Sequence, residues 1–427
     1  MSRRPDVESR LIHGEYATPK WDFSHHVVPP MPSSVTFRLS SAARGAKGFA
    51  EFARPTSQRG KRVPIYIYDR LDEPVRGMLE ENLAAAEGAD TAITFASGMA
   101  AISGAFLALL RAGDSIVAHR TLYGCTHSLL TSWLPRLGIT TRFVDLSRPD
   151  RLERVLKADV RVVYAETPVN PTLELLDLRA IADVIARVNR RRREGARVRL
   201  VVDNTFATPL GQRPLALGAD MVVASLTKHL SGFGTDLGGM VAAAREWEAP
   251  LFLVRKDFGG VLASKNAWPI LVYGLPTLAV RLKAQEERAL EVARFLEGHR
   301  KVAWVRYPGL ESFPWKDLAR RQMLDPAGRF APGTLVYFVL KGDPARARRA
   351  AQRVADHVAR HAYTLTLAVS LGHVRTLVEH PASMTHAALD PAAQVRAGID
   401  PGGIRVSVGL ESTKDLVADL DAALAGA

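Results

Sequence analysis

Short apolar runs alternate along this chain with longer segments in which apolar residues recur every three or four positions. Residues 91–95, 115–118 and 198–202 are short runs, and residues 73–87 are a longer segment. Short runs bounded by polar residues are typical of buried strands, whereas the wider spacing is typical of amphipathic helices. Their repeated alternation predicts an α/β fold, in which helices cover both faces of a mostly parallel sheet.

A long helix that begins near residue 273 separates this alternation from a second region of strands and helices. Chains of this length usually form more than one folding unit, so the helix is the expected connector between two domains. The predicted division is an N-terminal arm over residues 1–64, a large domain over 65–275 and a smaller α/β C-terminal domain over 276–427.

The arm over residues 1–64 has no sustained period and is interrupted by several prolines. An arm this long usually packs on a neighbouring subunit, so we expect an oligomer. His25 and His26 are adjacent and would face opposite ways in an extended segment. We therefore expect no metal site there.

The composition is that of a globular chain, with 427 residues of which 47% are hydrophobic. The single cysteine, Cys125, cannot form an intrachain disulfide, and the first residues lack the apolar core of a signal peptide. The longest apolar stretch, residues 99–110, is too short to cross a bilayer. We expect a cytoplasmic protein with no membrane partner.

The formal net charge of +13 raises nucleic acid as a possible partner. However, the basic residues are widely spread. The one dense run, residues 190–193, closes a helical segment, where cations interact favourably with the helix dipole. No aromatic residues are interleaved with it, so we expect no nucleic-acid partner.

Two predicted strands end abruptly at polar residues. One ends at Asp203, and the other ends at Ser225, shortly before Thr227 and Lys228. In open parallel sheets, reactive groups project from the carboxyl ends of the strands. Pyridoxal phosphate needs an amine for its aldehyde, an anion beside its pyridine nitrogen and donors around its phosphate. These four residues meet those needs; an ordinary buried aspartate and a surface lysine are the alternative interpretation.

Two further segments suit a phosphate group. Ser97, Gly98 and Met99 open a buried helix, whose first N–H groups lie at the positive end of the helix dipole. Tyr68 and Arg70 occupy alternate positions, so a phenol and a guanidinium can point the same way. We place the cofactor phosphate at the helix start, with close packing by the glycine as the alternative.

Four more residues complete the candidate site. Tyr123 lies in a loop after a strand, where it would stack on the cofactor ring, and Asn170 would hydrogen-bond a ring hydroxyl. Arg405 lies in an otherwise apolar strand and needs a partner, and Ser370 ends another strand. The carboxylate of an amino-acid substrate would suit Arg405, although a structural salt bridge is the alternative.

Taken together, these residues resemble the cysteine and methionine metabolism family of pyridoxal-phosphate enzymes, from about Tyr66 to the C-terminus. The resemblance implies fold type I, the aspartate aminotransferase fold, with a mostly parallel seven-stranded type of sheet in the large domain. It rests on these motifs, in chain order: Tyr68-Asp69-Arg70, Ala96-Ser97-Gly98-Met99-Ala100-Ala101-Ile102, Leu122-Tyr123-Gly124, Glu166-Thr167-Pro168, Val202-Asp203-Asn204-Thr205, Ser225-Leu226-Thr227-Lys228, His380-Pro381-Ala382-Ser383-Met384-Thr385-His386 and Arg405-Val406-Ser407-Val408-Gly409.

The resemblance also implies roles for individual residues and a homotetramer built from catalytic dimers. The implied catalytic residues are Lys228, which would form the Schiff base, Tyr123 and Asp203. With the residues argued above, the cofactor-binding set is Tyr68 and Arg70 from the neighbouring subunit, Ser97, Gly98, Met99, Tyr123, Asn170, Asp203, Ser225, Thr227 and Lys228. The substrate-binding set is Cys125, Ser370 and Arg405. To act as a base near neutrality, Lys228 needs a pKa below the ordinary value of about 10.4.

The reaction is predicted from finer similarities. Cys125 and the pair Lys256-Asp257 are similar to methionine γ-lyases, whereas an extended region over residues 315–329 is nearer to O-acetylhomoserine sulfhydrylases. Residues 71–74 and 232–236 depart from the family pattern. We predict γ-elimination on L-methionine or a related sulfur amino acid, giving 2-oxobutanoate, ammonia and a thiol. The alternatives are γ-replacement on an O-acyl-homoserine, by a sulfhydrylase or a cystathionine γ-synthase, and cystathionine lyase chemistry.

Overall fold

Two β-sheets, joined by a long helix, organise the chain. The computed structural model describes residues 5–14, 26–53, 66–385, 387, 394, 395 and 397–426. Up to the long helix, the elements are α1 Val7–His13, α2 Ala42–Ala53, α3 Pro74–Glu87, β1 Thr91–Phe95, α4 Gly98–Leu109, β2 Ser115–His119, α5 Gly124–Ser128, β3 Thr140–Val144, α6 Pro149–Val155, β4 Val160–Glu166, α7 Leu178–Asn189, β5 Arg199–Asp203, β6 Met221–Ser225, β7 Gly239–Ala243, α8 Glu248–Phe258, α9 Ser264–Pro269 and α10 Leu275–Gly298.

The remaining elements form the second sheet and its helices. They are β8 Val302–Arg306, α11 Lys316–Gln322, β9 Leu335–Leu340, α12 Pro344–His361, β10 Leu365–Leu367, β11 Thr376–Glu379, β12 Gly403–Ser407 and α13 Thr413–Ala425. Short helical turns connect several elements, at Leu129–Trp133, Leu134–Leu137, Glu194–Ala196, Pro214–Leu217, Leu226–Leu230, Arg245–Trp247 and Ile270–Gly274.

The first sheet has seven strands in the order β1-β7-β6-β5-β4-β2-β3. Neighbouring strands run parallel except where β7 pairs with β1 and β6. The fold confirms the predicted α/β class with its mostly parallel sheet. Because β4, β5 and β6 are neighbours and run the same way, their carboxyl ends meet at one edge.

Helices cover both faces of this sheet, as its continuous apolar strands require. Val201 packs in a cluster with Ile102 and Phe106 of α4, while the next residue, Val202, packs with Ile181 of α7. Adjacent residues of a strand point to opposite faces, so both faces of β5 are buried. In the described part of the chain, no helix has the length and apolar character that a membrane span needs.

The second sheet is mixed, with the order β10-β11-β12-β9-β8. Its strands pack against α10, α12 and α13. The strand predicted over residues 364–370 is shorter than expected and ends at Leu367. Ser370 has φ of 91°, a left-handed conformation that a regular strand does not contain. Strands β8 and β11 were not predicted: only Val302 and Val305 of β8 are buried, so it has no continuous apolar run, and β11 has only 4 residues.

Two helices lie within the predicted irregular arm, which is a difference from the sequence prediction. Leu11 of α1 is buried in the main core of its own chain, and the Trp268 Nε1–H donates to the Pro29 carbonyl at 2.7 Å. Packing of the arm on a neighbouring subunit stays a prediction. His25 of the arm and His386 of the C-terminal motif lie outside the described residues.

A buried ion pair ties α3 to the first sheet and to α8. The Arg255 guanidinium is fully buried and pairs with the Glu80 carboxylate. The same Glu80 oxygen accepts hydrogen bonds from the N–H and the hydroxyl of Thr94, each at 2.9 Å. A buried charge of this kind depends on its partner, because removing that partner leaves the charge uncompensated.

Replacing Glu80 with Ala should therefore lower the free energy of unfolding by about 3 to 5 kcal/mol. The matched control is Glu153→Ala, which removes an exposed carboxylate that lies 4.0 Å from Arg187 and 3.7 Å from Arg191. The control should cost less than about 1 kcal/mol. Urea unfolding of both variants at one protein concentration measures the difference, and equal losses would contradict the assigned importance of the buried pair.

Candidate active site

Three polar residues end neighbouring strands at the carboxyl edge of the first sheet. Glu166 ends β4, Asp203 ends β5 and Ser225 ends β6. Glu166 and Asp203 are direct neighbours in the parallel register. Their adjacency follows from the sheet topology, which brings together residues that lie far apart in the sequence.

Glu166 and Asp203 form a carboxylate pair bridged by a buried phenol. The Tyr164 hydroxyl lies 3.4 Å from an oxygen of each carboxylate. Asp203 also accepts a hydrogen bond from the Thr205 N–H at 2.9 Å. Burial raises the pKa of Asp203; for Glu166, burial and then the charge of Asp203 raise the pKa to about 8. A cationic group placed against this pair would be stabilised by it.

Lys228 lies in the short helical turn Leu226–Leu230, directly after β6. Its backbone, with φ of −90° and ψ of −133°, interrupts the helical geometry of this turn. The half-buried amine donates to the Ser370 hydroxyl at 2.7 Å. Burial, and then the charge of Arg405, lower the pKa of Lys228 to about 8. The structure thus supplies the lowered pKa that the sequence analysis required.

The start of α4 lies against the end of β6. A Cβ atom at position 98 would lie 2.9 Å from the Cβ of Ser225, so glycine permits this close approach. Ser97 caps α4, accepting from the Ala100 N–H at 3.1 Å. The first N–H groups of a helix have no acceptor in a preceding turn, so those of Gly98 and Met99 suit an anion. Ser97 supports this site by capping the helix.

Thr227 and Met99 make contacts that bear on their predicted roles. The Thr227 hydroxyl accepts from the Gly238 N–H at 3.1 Å and donates to the Gly238 carbonyl at 3.3 Å. The Met99 sulfur accepts from the Thr126 hydroxyl at 3.8 Å. Both residues therefore hold neighbouring backbone and side chains around the start of α4, and their binding of a phosphate stays a prediction.

Tyr123 lies immediately before α5, with 42% of its surface exposed. Its N–H donates to Glu166 at 2.9 Å. Burial, and then a hydrogen bond with the Cys125 side chain, raise the pKa of Tyr123 to about 12. The phenol therefore keeps its proton at neutral pH, which suits a proton donor; the sequence analysis gave it no direction of shift.

Arg405 of β12 lies between the two sheets. One terminal nitrogen donates to the Asn170 side-chain oxygen at 2.7 Å and pairs with Glu379 at 3.1 Å. The other donates to the Ser370 carbonyl at 2.7 Å. The buried Arg405 Nε has no hydrogen-bond partner among the described residues. The structural salt bridge considered from the sequence is present, and a donor remains for a substrate carboxylate.

This geometry changes the expectation for Asn170. Its side-chain oxygen is engaged by Arg405, whereas the sequence analysis assigned the side chain to a ring hydroxyl. The segment after β4 therefore reaches from the first sheet to the second. Asn170 positions the guanidinium, and any contact with a ring stays a prediction.

Tyr68 and Arg70 are exposed, and their described contacts lie away from Lys228. The Arg70 guanidinium lies 5.6 Å from the Tyr68 ring and donates to the Lys256 carbonyl at 2.9 Å. Asp69, between them, faces inward and pairs with the buried Arg76 at 2.8 Å. The loop is therefore anchored from within, while its two outer side chains remain available to another molecule.

Sequence reasoning did not assign Glu166 or Glu379 to the candidate site. Glu166 was named only within the motif Glu166-Thr167-Pro168, and Glu379 lies beside Arg405 in the antiparallel register of β11 and β12. An acidic residue at the end of an apolar strand was a usable signal, because the buried Arg405 required a partner. Glu379 could be assigned to Arg405 only once the pairing of β11 with β12 was known, and the sequence alone does not show that pairing.

The Cys/Met metabolism PLP-dependent enzyme family model matches residues 8–425. An L-methionine gamma-lyase from Fusobacterium nucleatum subsp. polymorphum is 38% identical over 397 residues, which are 92% of each protein. An O-succinylhomoserine sulfhydrylase from Mycobacterium tuberculosis is 40% identical over 360 residues, which are 84% of each protein. The similarity thus extends to relatives with different reactions.

Among solved structures, a cystathionine gamma synthase from Xanthomonas oryzae pv. oryzae, in complex with aminoacrylate and cysteine, superimposes with a TM-score of 0.84. It is 32% identical, and the match covers 99% of this chain and 98% of that one. These similarities support fold type I and pyridoxal phosphate as the cofactor. They include both elimination and replacement enzymes.

The pKa of Lys228 leads to a test on the cofactor-free protein. Because only the neutral amine attacks an aldehyde, the rate of pyridoxal-phosphate attachment should rise with pH through a midpoint of about 8. Arg405→Met removes a charge that lowers this pKa and should move the midpoint upward. Arg349→Met on α12 is the control. Stopped-flow absorbance gives the rates, and a wild-type midpoint near the ordinary lysine value of 10.5 would contradict the prediction.

Proposed function

Because the chain belongs to the Cys/Met metabolism family of PLP-dependent enzymes, we propose that it catalyses γ-elimination on L-methionine or a closely related sulfur amino acid. The products are 2-oxobutanoate, ammonia and a thiol. The observation that carries this proposal is the position of Tyr123, partly exposed beside the carboxylates of the site with its N–H donating to Glu166 at 2.9 Å, and with Cys125 two residues further along the chain. The similarity to L-methionine gamma-lyases supports it.

The residues at the carboxyl edge fit pyridoxal phosphate. Asp203, with Glu166 beside it, offers a carboxylate to the ring nitrogen, and Lys228 offers an amine of lowered pKa to the aldehyde. Gly98 and Ser225 form the close-packed cradle at the start of α4, where a phosphate would lie. When bound, the cofactor supplies an electron sink for the charge that develops at the substrate α-carbon.

Arg405 and Ser370 bind and orient the amino-acid substrate. The unpartnered Arg405 Nε donates to the substrate carboxylate, and the two terminal nitrogens remain held by their protein partners. The Ser370 hydroxyl accepts a hydrogen bond from the Lys228 amine at 2.7 Å. Ser370 therefore belongs both to the surroundings of the base and to the proposed carboxylate site. This hydrogen bond would hold the Lys228 amine at a set distance from the carboxylate of the bound substrate.

Lys228 moves protons on one side of the substrate, and Tyr123 donates a proton on the other. A pKa of about 8 gives Lys228 an appreciable neutral fraction near neutral pH. A pKa of about 12 keeps Tyr123 protonated until it releases its proton to the departing sulfur. The Cys125 thiol beside the phenol gives this end of the site a soft, weakly polar surface that suits a thioether.

We propose that the active assembly is a homotetramer built from catalytic dimers. Tyr68 and Arg70 are presented outward on an anchored loop, and they would complete the phosphate site of a neighbouring subunit. Each chain exposes these two side chains, and the phosphate bound by a second copy would give them a ligand.

A second candidate function is favoured by Glu379. Its second carboxylate oxygen is buried and has no hydrogen-bond partner among the described residues. L-methionine has only its α-ammonium group, whereas cystathionine carries a second, distal ammonium group that could pair with this oxygen. Lyase or synthase chemistry on cystathionine is therefore the alternative, together with γ-replacement on an O-acyl-homoserine, which the sulfhydrylase relative supports.

The deciding experiment supplies the holoenzyme with L-methionine, L-cystathionine, or O-acetyl-L-homoserine with and without sulfide. We expect 2-oxobutanoate and methanethiol from L-methionine alone, and no turnover by Lys228→Ala. Homocysteine formed only from O-acetyl-L-homoserine and sulfide would overturn the elimination reaction. A preference for L-cystathionine over L-methionine in the wild type, which Glu379→Gln lowers more for L-cystathionine than for L-methionine, would instead support the second candidate.

Tyr123→Phe tests the proton donor. Loss of the phenolic proton should lower kcat for L-methionine by about 10²- to 10⁴-fold, the usual contribution of a positioned general acid. The matched control, Tyr363→Phe, changes a side chain that is 96% exposed and should leave kcat unchanged. Steady-state assays from pH 6 to 9 measure both, and near-normal kcat in Tyr123→Phe would remove this role.

A further inference from the structure

We propose that Gln212 is a positioning residue that sets the placement of the Glu166 and Asp203 carboxylates, and through them the affinity for the ring nitrogen of the cofactor. The inference deepens the proposed function and rests on its assignment of Asp203 to that nitrogen. Gln212 was not identified by sequence reasoning, and it lies outside the carboxyl edge itself.

Gln212 joins the ends of the two strands that carry the carboxylates. Its side-chain amide donates to the Thr167 carbonyl and to the Asn204 side-chain oxygen, each at 3.1 Å. Thr167 directly follows Glu166, and Asn204 directly follows Asp203. One planar amide group therefore bonds to the residues immediately after both carboxylates.

The orientation of this amide is fixed from its other side. The Gln212 side-chain oxygen accepts from the Gln322 amide at 2.9 Å, and its backbone carbonyl accepts from the Asn204 amide at 2.9 Å. Gln322 of α11 is itself held by the Leu176 carbonyl and the Leu178 N–H, each at 3.0 Å. The amide therefore cannot turn over without losing several hydrogen bonds.

Because Gln212 is buried, losing any of its hydrogen bonds has a high energetic cost. Gln212 and Asn204 are both fully buried, so a lost hydrogen bond leaves an unsatisfied polar group away from water. The chain after β5 would then relax, and Asp203 would relax with it. Glutamine is suited to the position because its amide offers two donors and an acceptor in one plane, whereas methionine has a similar length and neither function.

The placement of the two carboxyl groups matters because they are close neighbours, so the ionisation of one affects the other. They face each other across adjacent strands, and the Tyr164 hydroxyl lies 3.4 Å from an oxygen of each. Small displacements change how the pair shares its negative charge with a nearby cation. A ring nitrogen is sensitive to this change, whereas the same ring with carbon in its place is not.

A cofactor analogue with carbon in place of the pyridine nitrogen tests the inference. The full-length, cofactor-free protein is titrated with pyridoxal phosphate and with 1-deazapyridoxal phosphate, and binding is followed by absorbance and by equilibrium dialysis. In Gln212→Met, affinity for pyridoxal phosphate should fall about tenfold, while affinity for the analogue should change less than about twofold. Equal losses would mean a merely structural role, and no loss would remove the role altogether; either result overturns the inference.

Gln285→Met is the matched control for a buried glutamine. Gln285 is also fully buried, and its amide donates to the carbonyls of His373 and Val408, each at 2.9 Å. These acceptors lie on the substrate side of the site. The control should affect both ligands equally, and selective loss of pyridoxal phosphate in the control would overturn the assignment of selectivity to Gln212.

Two further variants keep the result interpretable. Gln212→Glu retains the side-chain shape and an acceptor for Gln322 but turns an acceptor toward the Thr167 carbonyl and the Asn204 side-chain oxygen, so it should show the same selective loss. Asp203→Asn should abolish the preference for pyridoxal phosphate over the analogue. If it leaves that preference intact, the assignment of Asp203 fails and the inference with it; if only the Gln212 variants keep the preference, the inference alone fails.

Discussion

The candidate site depends on the hydrogen bonds and the ion pair that compensate the buried guanidinium of Arg405. A charge inside an apolar strand is tolerated only when surrounding groups compensate it, and here Glu379, Asn170 and the Ser370 carbonyl do so. These partners come from three separate segments, including the one that follows β4 of the first sheet. The contacts of this one charge therefore join the second sheet to the carboxyl edge of the first, and the candidate site lies in the cleft between them.

The two sides of the cleft have opposite electrostatic character. On the first sheet, burial raises the pKa of both carboxyl groups, and the charge of Asp203 raises the pKa of Glu166 further. Across the cleft, Arg405 and burial lower the pKa of Lys228, although Glu379 partly opposes this effect. Without a cation beside them these carboxyl groups favour their neutral forms, whereas a ring nitrogen bound there would favour the ionised form, and an amine of lowered pKa lies across the cleft. The same fold provides both without a metal ligand set among the described residues.

Local sequence patterns were sufficient to predict where strands end, but they did not predict which residues contact each other across the two sheets. The apolar runs before Asp203 and Ser225 located two strand ends because burial on both faces leaves an unbroken hydrophobic signal. Asn170 was recognised as a polar residue in the correct loop, yet its partner, Arg405, lies 235 positions away. The outward placement of Tyr68 and Arg70 depends on Asp69 facing inward to Arg76, a choice that alternation alone does not determine. Helix α1, with 7 residues, has too few turns for a sustained period.

Glu379 connects substrate choice to protonation. Burial raises the pKa of its carboxyl group, and the adjacent Arg405 opposes that effect through one oxygen while the other oxygen has no partner in the described part of the chain. A substrate without a distal cation leaves this second oxygen uncompensated, which favours protonation of the carboxyl group. A substrate with a distal ammonium favours the ionised form, because the new ion pair offsets the cost of burial. The same residue can thus stabilise Arg405 in every complex and still distinguish substrates by the charge that they carry away from the reacting carbon.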